Sequence, residues 1–135
     1  MSAEHPNVEL LRRAYATFEA GDVDAFMAIL ADDIVWTIPG RNKLSGTYRG
    51  KAEVGALMAK LGELTGGETA IEVHDLLASD DHGVAVVRIS STIDGSTFSQ
   101  NYVHLTHIVD GKATAFWELP EDQYAEDAFY GENGT

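Results

Sequence analysis

Residues 69 to 120 constrain the fold most. They hold four runs of largely alternating residues, "TAIEVHDLLA", "GVAVVRISSTI", "TFSQNYVHLTHIV" and "KATAFWEL", separated only by "SDDH", "DG" and "DG". Period-two alternation sends successive side chains to opposite faces of a strand. An Asp-Gly pair supplies the positive backbone angles of a tight hairpin turn. Four strands joined this way form an antiparallel meander with strong twist. Pro120 ends the last run because it has no N–H to donate to a ladder. The stretch from Asp110 reads as an edge hairpin, and "PEDQYAEDAFYG" beyond it reads as a short helix. That helix is expected to pack Tyr124, Phe129 or Tyr130 near a cavity or a dimer edge, with Glu121, Asp122, Glu126 and Asp127 in water.

The first half has a different period. Residues 7 to 20, "NVELLRRAYATFEA", place Val8, Leu11, Tyr15 and Phe18 at helical spacing behind an Asn7 cap. Gly21-Asp22 turns the chain into a second helix, "DVDAFMAILADD", with Val23, Phe26, Met27 and Leu30 on one face. "DIVWTIPG" is a strand with Ile34, Trp36 and Ile38 on one side and Val35 and Thr37 on the other, broken at Pro39-Gly40. "RNKLSGTYRG" is a loop or short strand, and "KAEVGALMAKLGEL" a third helix weakened by Gly55 and Gly62. The order implies one α+β domain over residues 1–135, with three N-terminal helices packed in a strongly curved antiparallel sheet. A chain of 135 residues buries roughly two thirds of its unfolded surface, enough for one core.

Charge and composition remove several functions. With 22 acids against 9 bases the net charge is -13, so nucleic acid and anionic membrane would meet a repelling surface. There is no cysteine, hence no disulfide frame, thiolate nucleophile or thiolate metal site. No pair of histidines has metal-ligand spacing joined to carboxylates. The N-terminus lacks the basic-then-apolar pattern of a signal peptide, and no apolar run approaches membrane length, so the cytoplasm is the expected compartment.

Three stretches in this order, "FEAGDVDAFMAILADDIVW", "SGTYRGKAEV" and "VDGKATAFWELPEDQYAEDAF", resemble the nuclear transport factor 2-like superfamily and, within it, the SnoaL-like domain. The resemblance covers nearly the whole chain. It implies a cone-shaped α+β barrel whose sheet wraps the helices around an apolar cavity open at one end. It also implies a homodimer through the outer sheet face. Relatives of this kind include ketosteroid isomerase, polyketide cyclases, scytalone dehydratase and limonene epoxide hydrolase, which work without a cofactor. Fold alone does not select among these chemistries.

Carried over residue by residue, the ketosteroid isomerase pattern is incomplete. Its basic aspartate, directly before a proline, falls on Ile38, and a hydrocarbon cannot move a proton. Its oxyanion-hole tyrosine falls on Ala14, one residue from Tyr15, and two supporting tyrosines fall on Leu30 and Met58. The protonated acid of that hole falls on Asn101, and a pocket tryptophan on Trp117. Scytalone dehydratase is similar in using an asparagine in the Asn101 region. The resemblance thus makes Asn101 a candidate to hold a ligand oxygen inside the cavity; the plain alternative is an amide tied to backbone.

On the third meander strand, Asn101, Val103, Leu105 and His107 share one face, and Tyr102, His104 and Thr106 the other. With Asn101 facing the cavity, His104 belongs outside, at a dimer contact. His107 and His74 are then the candidate acid–base groups, with ordinary imidazole chemistry suited to neutral pH; otherwise they are satisfied within the sheet. Arg88 with Asp75 is the nearest approach to the Asp-Arg-Asp relay of limonene epoxide hydrolase, and Ser90-Ser91-Thr92 offers hydroxyls without a triad. The expected ligand wall is Phe18, Leu30, Trp36, Ile38, Tyr48, Met58, Val87 and Trp117, a mostly apolar pocket with few polar fixtures. Two functions fit: an isomerase-, cyclase- or dehydratase-type enzyme acting on a hydrophobic ring compound, or a non-catalytic binder of such a compound. A third is a scaffold with a filled cavity. A buried titratable group in an open cavity separates the first from the others.

Overall fold

The structure is a computed structural model, and it describes residues 4–131. Residues 1–3 and 132–135, including the start of the stretch read for a leader and the ends of the expected domain, lie outside the described part. The element order is α1 (Pro6–Glu19), α2 (Val23–Ile29), β1 (Leu30–Ile38), β2 (Gly46–Arg49), α3 (Gly50–Thr65), β3 (Thr69–Ala78), β4 (His82–Ile93), β5 (Ser96–Val109), β6 (Lys112–Pro120) and α4 (Gln123–Tyr130). Both Asp-Gly pairs form the expected hairpin turns, with φ of 50° and 82° at Asp94-Gly95 and 50° and 74° at Asp110-Gly111. Those paired positive angles match strand twist and suit Asp-Gly.

The six strands form one open sheet in the order β2-β1-β6-β5-β4-β3. It is mixed rather than wholly antiparallel, because β1 runs parallel to β6, pairing Val35 with Ala115, Trp36 with Phe116 and Thr37 with Trp117. This pairing places β6 centrally, so the hairpin after Asp110 is not an edge. It also shortens α2: Leu30, expected in the helix, already pairs with Ala113 as the first residue of β1. The short helix expected after Pro120 forms as α4, in addition to the three N-terminal helices. No helix among the described residues is long and apolar enough to cross a membrane.

The cap of α1 is His5 rather than Asn7. His5 Nδ1 accepts the Asn7 backbone N–H at 3.0 Å, while the Asn7 side chain donates to the Ser79 and Asp80 carbonyls at 3.0 and 3.1 Å. Pro6 holds the first turn, where its missing N–H costs nothing. Helices α1 and α3 lie across the concave face and bury Val8, Leu10, Leu11, Val54 and Leu57 against it. The central cluster gathers Phe26, Ile34, Trp36, Val54 and Phe116, and Ile34 and Val54 are fully buried. Alternation on β1 behaves as read, with Ile34, Trp36 and Ile38 inward.

Candidate active site

The inner face of the central strands carries the polar groups. Between it and α1 and α3 lie two adjoining cavity lobes of about 90 Å³ each. Both are walled by Phe18, Trp36, Met58, Ile71, His104 and Phe116, with the Trp36 and Phe116 rings stacked at 3.7 Å. The first lobe lies toward α1 and adds Tyr15 and Thr106 to an otherwise apolar wall. The second reaches Glu118, Glu126 and Tyr130. Pockets that swallow a drug-sized ligand measure about 300–1,000 Å³, so a ring ligand must span both lobes and push side chains aside. Phe18 and Met58 are the ones in the way. They also line two outer grooves of about 410 and 480 Å³ between the α1–α2 turn and α3, and so separate the cavity from its mouth. Gly62 of α3 lines both grooves, and a Cβ there would meet open space.

His104 stands at the junction of the lobes. Its Nδ1 lies 2.6 Å from the Tyr15 hydroxyl, and the two rings are nearly parallel. Burial holds its pKa down to about 3, so the imidazole is neutral at pH 7 and carries one N–H. Burial, with a smaller push from the Glu118 charge, drives the Tyr15 hydroxyl well above the ordinary phenol range. His104 pairs directly across the ladder with Glu118, an arrangement that sets two Cβ atoms roughly 5 Å apart on one face.

Glu118 makes no side-chain hydrogen bond to the described residues, and the surface it keeps faces the second lobe, which it lines. Burial, followed by the charge of Glu126, raises its carboxyl well above the usual glutamate range. Glu126 is 2% exposed. It accepts from Gln123 Nε2 at 3.4 Å and Asn42 Nδ2 at 3.5 Å, and the Tyr102 hydroxyl lies close enough to help hold its pKa down. Burial also raises its pKa, and these hydrogen bonds moderate the rise. The protein therefore holds two neighbouring carboxyls on an apolar cavity, Glu126 with hydrogen-bond partners and Glu118 with none among the described residues.

Helix α4 delivers Glu126 and closes the second lobe. Asp122 caps it by accepting the Ala125 N–H at 3.0 Å, and the Asp122 N–H donates to Gln100 Oε1 at 2.8 Å. Asp127 accepts from Arg41 N and Asn42 Nδ2, tying the helix to the loop after β1. Gly40 is required there: its φ is 89°, and an added Cβ would fall 2.1 Å from Gln123 Nε2. Tyr130 is buried, lines the second lobe and donates to Ser91 Oγ at 2.9 Å, while Phe129 stacks on Phe98. Tyr124 points to solvent at 89% exposure. The expected cover therefore forms through Tyr130 and Phe129. Glu126, expected in water, is inside because it lies four residues before Tyr130 on the same helix face.

Of the expected site residues, Tyr15, Phe18, Leu30, Trp36, Ile38 and Met58 line the cavity. The others do not. Asn101 is exposed on the outer face and accepts from Arg88 at 3.2 Å, so Arg88 pairs with it rather than with Asp75. His107 is also outside, packed edge-on against His82 and Trp117. His74 is exposed at a bulge between Val73 and Asp75. Trp117 lies outside because it alternates with inward Phe116 and Glu118. Val87 is buried in a cluster with Ala85 and Tyr102 and lines neither lobe. Tyr48 packs at the β2 edge and donates to the Leu44 carbonyl at 2.7 Å. The faces of β5 are thus the reverse of those expected: Gln100, Tyr102, His104 and Thr106 point inward.

A sequence model of the SnoaL-like domain matches residues 11–116. An uncharacterized protein of Mycobacterium tuberculosis is 27% identical over 125 residues, 92% of this chain and 95% of that one. A solved Xanthomonas campestris protein with a cystatin-like fold is 32% identical, covering 93% of this chain and 98% of its own, with a TM-score of 0.86. TerC, co-crystallized with polyporic acid, is 25% identical, covering 92% and 97%, with a TM-score of 0.82. Sequence pattern and nuclear transport factor 2-like architecture agree, and the chain belongs to the SnoaL-like domain family.

Proposed function

We propose that this protein is a cofactor-independent acid–base enzyme of isomerase, cyclase or dehydratase type, acting on a hydrophobic ring compound that carries a carbonyl group. The observation that carries the reading is Glu118, a carboxyl without a hydrogen-bond partner among the described residues that lines an apolar cavity beside a neutral histidine. A raised carboxyl is a stronger base than a surface glutamate and, once protonated, keeps a proton to return. In the proposed step the Glu118 carboxylate takes a proton from carbon next to the carbonyl. The C–H electron pair moves into the new C=C bond, and the carbonyl π pair becomes an enolate oxygen. Tyr15 donates to His104 Nδ1, which leaves the hydrogen on Nε2 to stabilise that oxygen. Glu118 then returns its proton to another carbon or to a leaving oxygen. TerC, co-crystallized with polyporic acid, supports a small-molecule ligand.

Proton exchange tests the step without a known substrate. β-Tetralone, a bicyclic ketone, is incubated with the protein in D₂O and its α-protons are followed by NMR. Exchange above background in the parent, lost in Glu118→Gln with binding retained, is the expected result. Binding without accelerated exchange in the parent favours the second reading, a non-catalytic binder, which the long apolar wall also suits.

The same reading includes a homodimer through the outer sheet face. Val84, Val86, Val103, Leu105 and Trp117 are half-buried there, and Leu119 is 48% exposed. An apolar sheet face of this kind is suited to a second copy. Light scattering at micromolar concentration should give twice the chain mass of 14.6 kDa. A monomer would remove the dimer from the proposal.

A further inference from the structure

The wall of the cavity has polar groups of only some kinds. Neither lobe is lined by lysine or arginine among the described residues. His104 is neutral, and the hydroxyls of Tyr15 and Tyr130 hold their protons, Tyr130 being pushed up to about 12. Against these stand Glu118 and Glu126, both lining the second lobe, with Glu118 lacking a hydrogen-bond partner among the described residues. Any negative charge entering that lobe meets carboxyl oxygens and no cation, inside walls that screen little. Outside, a net charge of -13 sets up a field that repels anions and draws cations toward the mouth.

We infer that the cavity selects its ligand by charge: it takes an uncharged or cationic ring compound that turns a polar hydrogen toward Glu118, and it rejects the corresponding carboxylate. This rests on reading the cavity as the ligand site and goes beyond it by naming the ligand's ionic state. A hydroxyl, an enol or an ammonium satisfies the free oxygens of Glu118. An ammonium gains further from the ring faces of Trp36, Phe116 and Tyr130 around the lobe. An acidic ligand enters as its conjugate acid, because the carboxyl pair disfavours its anion as it disfavours a second charge on itself.

The test compares four probes of one shape: naphthalene, β-naphthol, protonated β-naphthylmethylamine and β-naphthoate. Binding is read at pH 7 by calorimetry. The expected order places β-naphthol and the amine at least as tight as naphthalene, with β-naphthoate about 100-fold weaker than β-naphthol, since its charge meets carboxyl oxygens and no cation where little screens it. In Glu118→Gln/Glu126→Gln the deficit of β-naphthoate should shrink below about tenfold. Naphthalene binding reports that the cavity of the variant is intact, and failing that Glu118→Gln alone gives the same comparison. β-Naphthoate within tenfold of β-naphthol in the parent overturns the inference. So does a deficit that persists in the variants, which would place the selection in the overall charge. Admission of naphthalene without discrimination leaves the cavity reading standing, while exclusion of all four probes overturns both.

Discussion

The two faces of β5 invert the usual relation between polarity and burial. Inward, the strand presents Gln100, Tyr102, His104 and Thr106, all buried. Outward, it presents Val103 and Leu105 between Asn101 and His107. A strand whose only task was to cover a core would carry its apolar set inward. Here the inward set is polar because it lines a cavity and ties α4 in place. Gln100 Nε2 donates to the Tyr102 hydroxyl at 3.2 Å, and Gln100 Oε1 accepts the Asp122 N–H at the start of α4. The fully buried side-chain polar atoms among the described residues all have partners, so the polar lining other than the Glu118 carboxyl stands without the usual cost of burial. Apolar residues can then occupy the outer face, where we place a second copy.

The contrast can be broken most forcefully in the core behind the inner face. Ile34→Ala removes a fully buried side chain beneath the cavity and should destabilise by about 2–5 kcal/mol in urea unfolding. Leu105→Ala on the outer face should cost well under half of that at protein concentrations where the chain is monomeric. Equal losses would mean the outer face is as much a core as the inner one.

Next in size is a pH-dependent effect of Glu118→Gln. An unfolded glutamate ionises near 4.5, whereas burial keeps the folded carboxyl protonated to higher pH. The parent therefore binds more protons folded than unfolded in that window and loses stability as pH rises through it. The variant should gain on the parent by about 1.4 kcal/mol for each pH unit until the folded carboxyl ionises. His104 acts with the opposite sign. Its folded pKa of about 3 lies below its unfolded 6.5, so its contribution is complete above pH 6.5 and is lost as pH falls toward 3. Unfolding free energies measured from pH 4 to 8 separate the two slopes.

Tyr15→Phe should cost about 1 kcal/mol by removing the hydroxyl at His104 Nδ1. It should slow proton exchange on β-tetralone more than it weakens binding, because the imidazole loses its orientation. Asn101→Leu should have the smallest effect, within about 0.5 kcal/mol and with unchanged ligand affinity, since Asn101 is exposed outside the sheet. A clear loss of ligand affinity in that variant would restore the opposite assignment of faces.

The fold was legible because its signals were local. Alternation and Asp-Gly pairs located β3 to β6, and helical spacing located α1 and α3 within a residue or two. Long-range pairing was not legible: nothing in "DIVWTIPG" reveals that it runs parallel to β6 and takes Leu30 from α2. The apolar wall was read well at Phe18, Leu30, Trp36, Ile38 and Met58, because periodicity and the family resemblance agreed there. The polar groups were not legible, because the expectation that Asn101 faces inward fixes the face of every other residue of β5 and all of them are reversed. Two signals pointed the other way. Alternation from Phe116 puts Glu118 opposite Trp117, and the helical spacing of four puts Glu126 with Tyr130.

The central claim is that Glu118 is a working acid–base group inside an apolar cavity, and its own titration tests that most directly. Carboxyl carbon NMR of protein labelled at glutamate, with Glu118→Gln to identify the resonance, follows the group from pH 3 to 9. The account predicts a midpoint well above 4.5 that moves down in Glu126→Gln, because the neighbouring charge is removed. A midpoint at or below 4.5 in the folded parent would contradict it, leaving Glu118 an ordinary carboxylate and the cavity without its base.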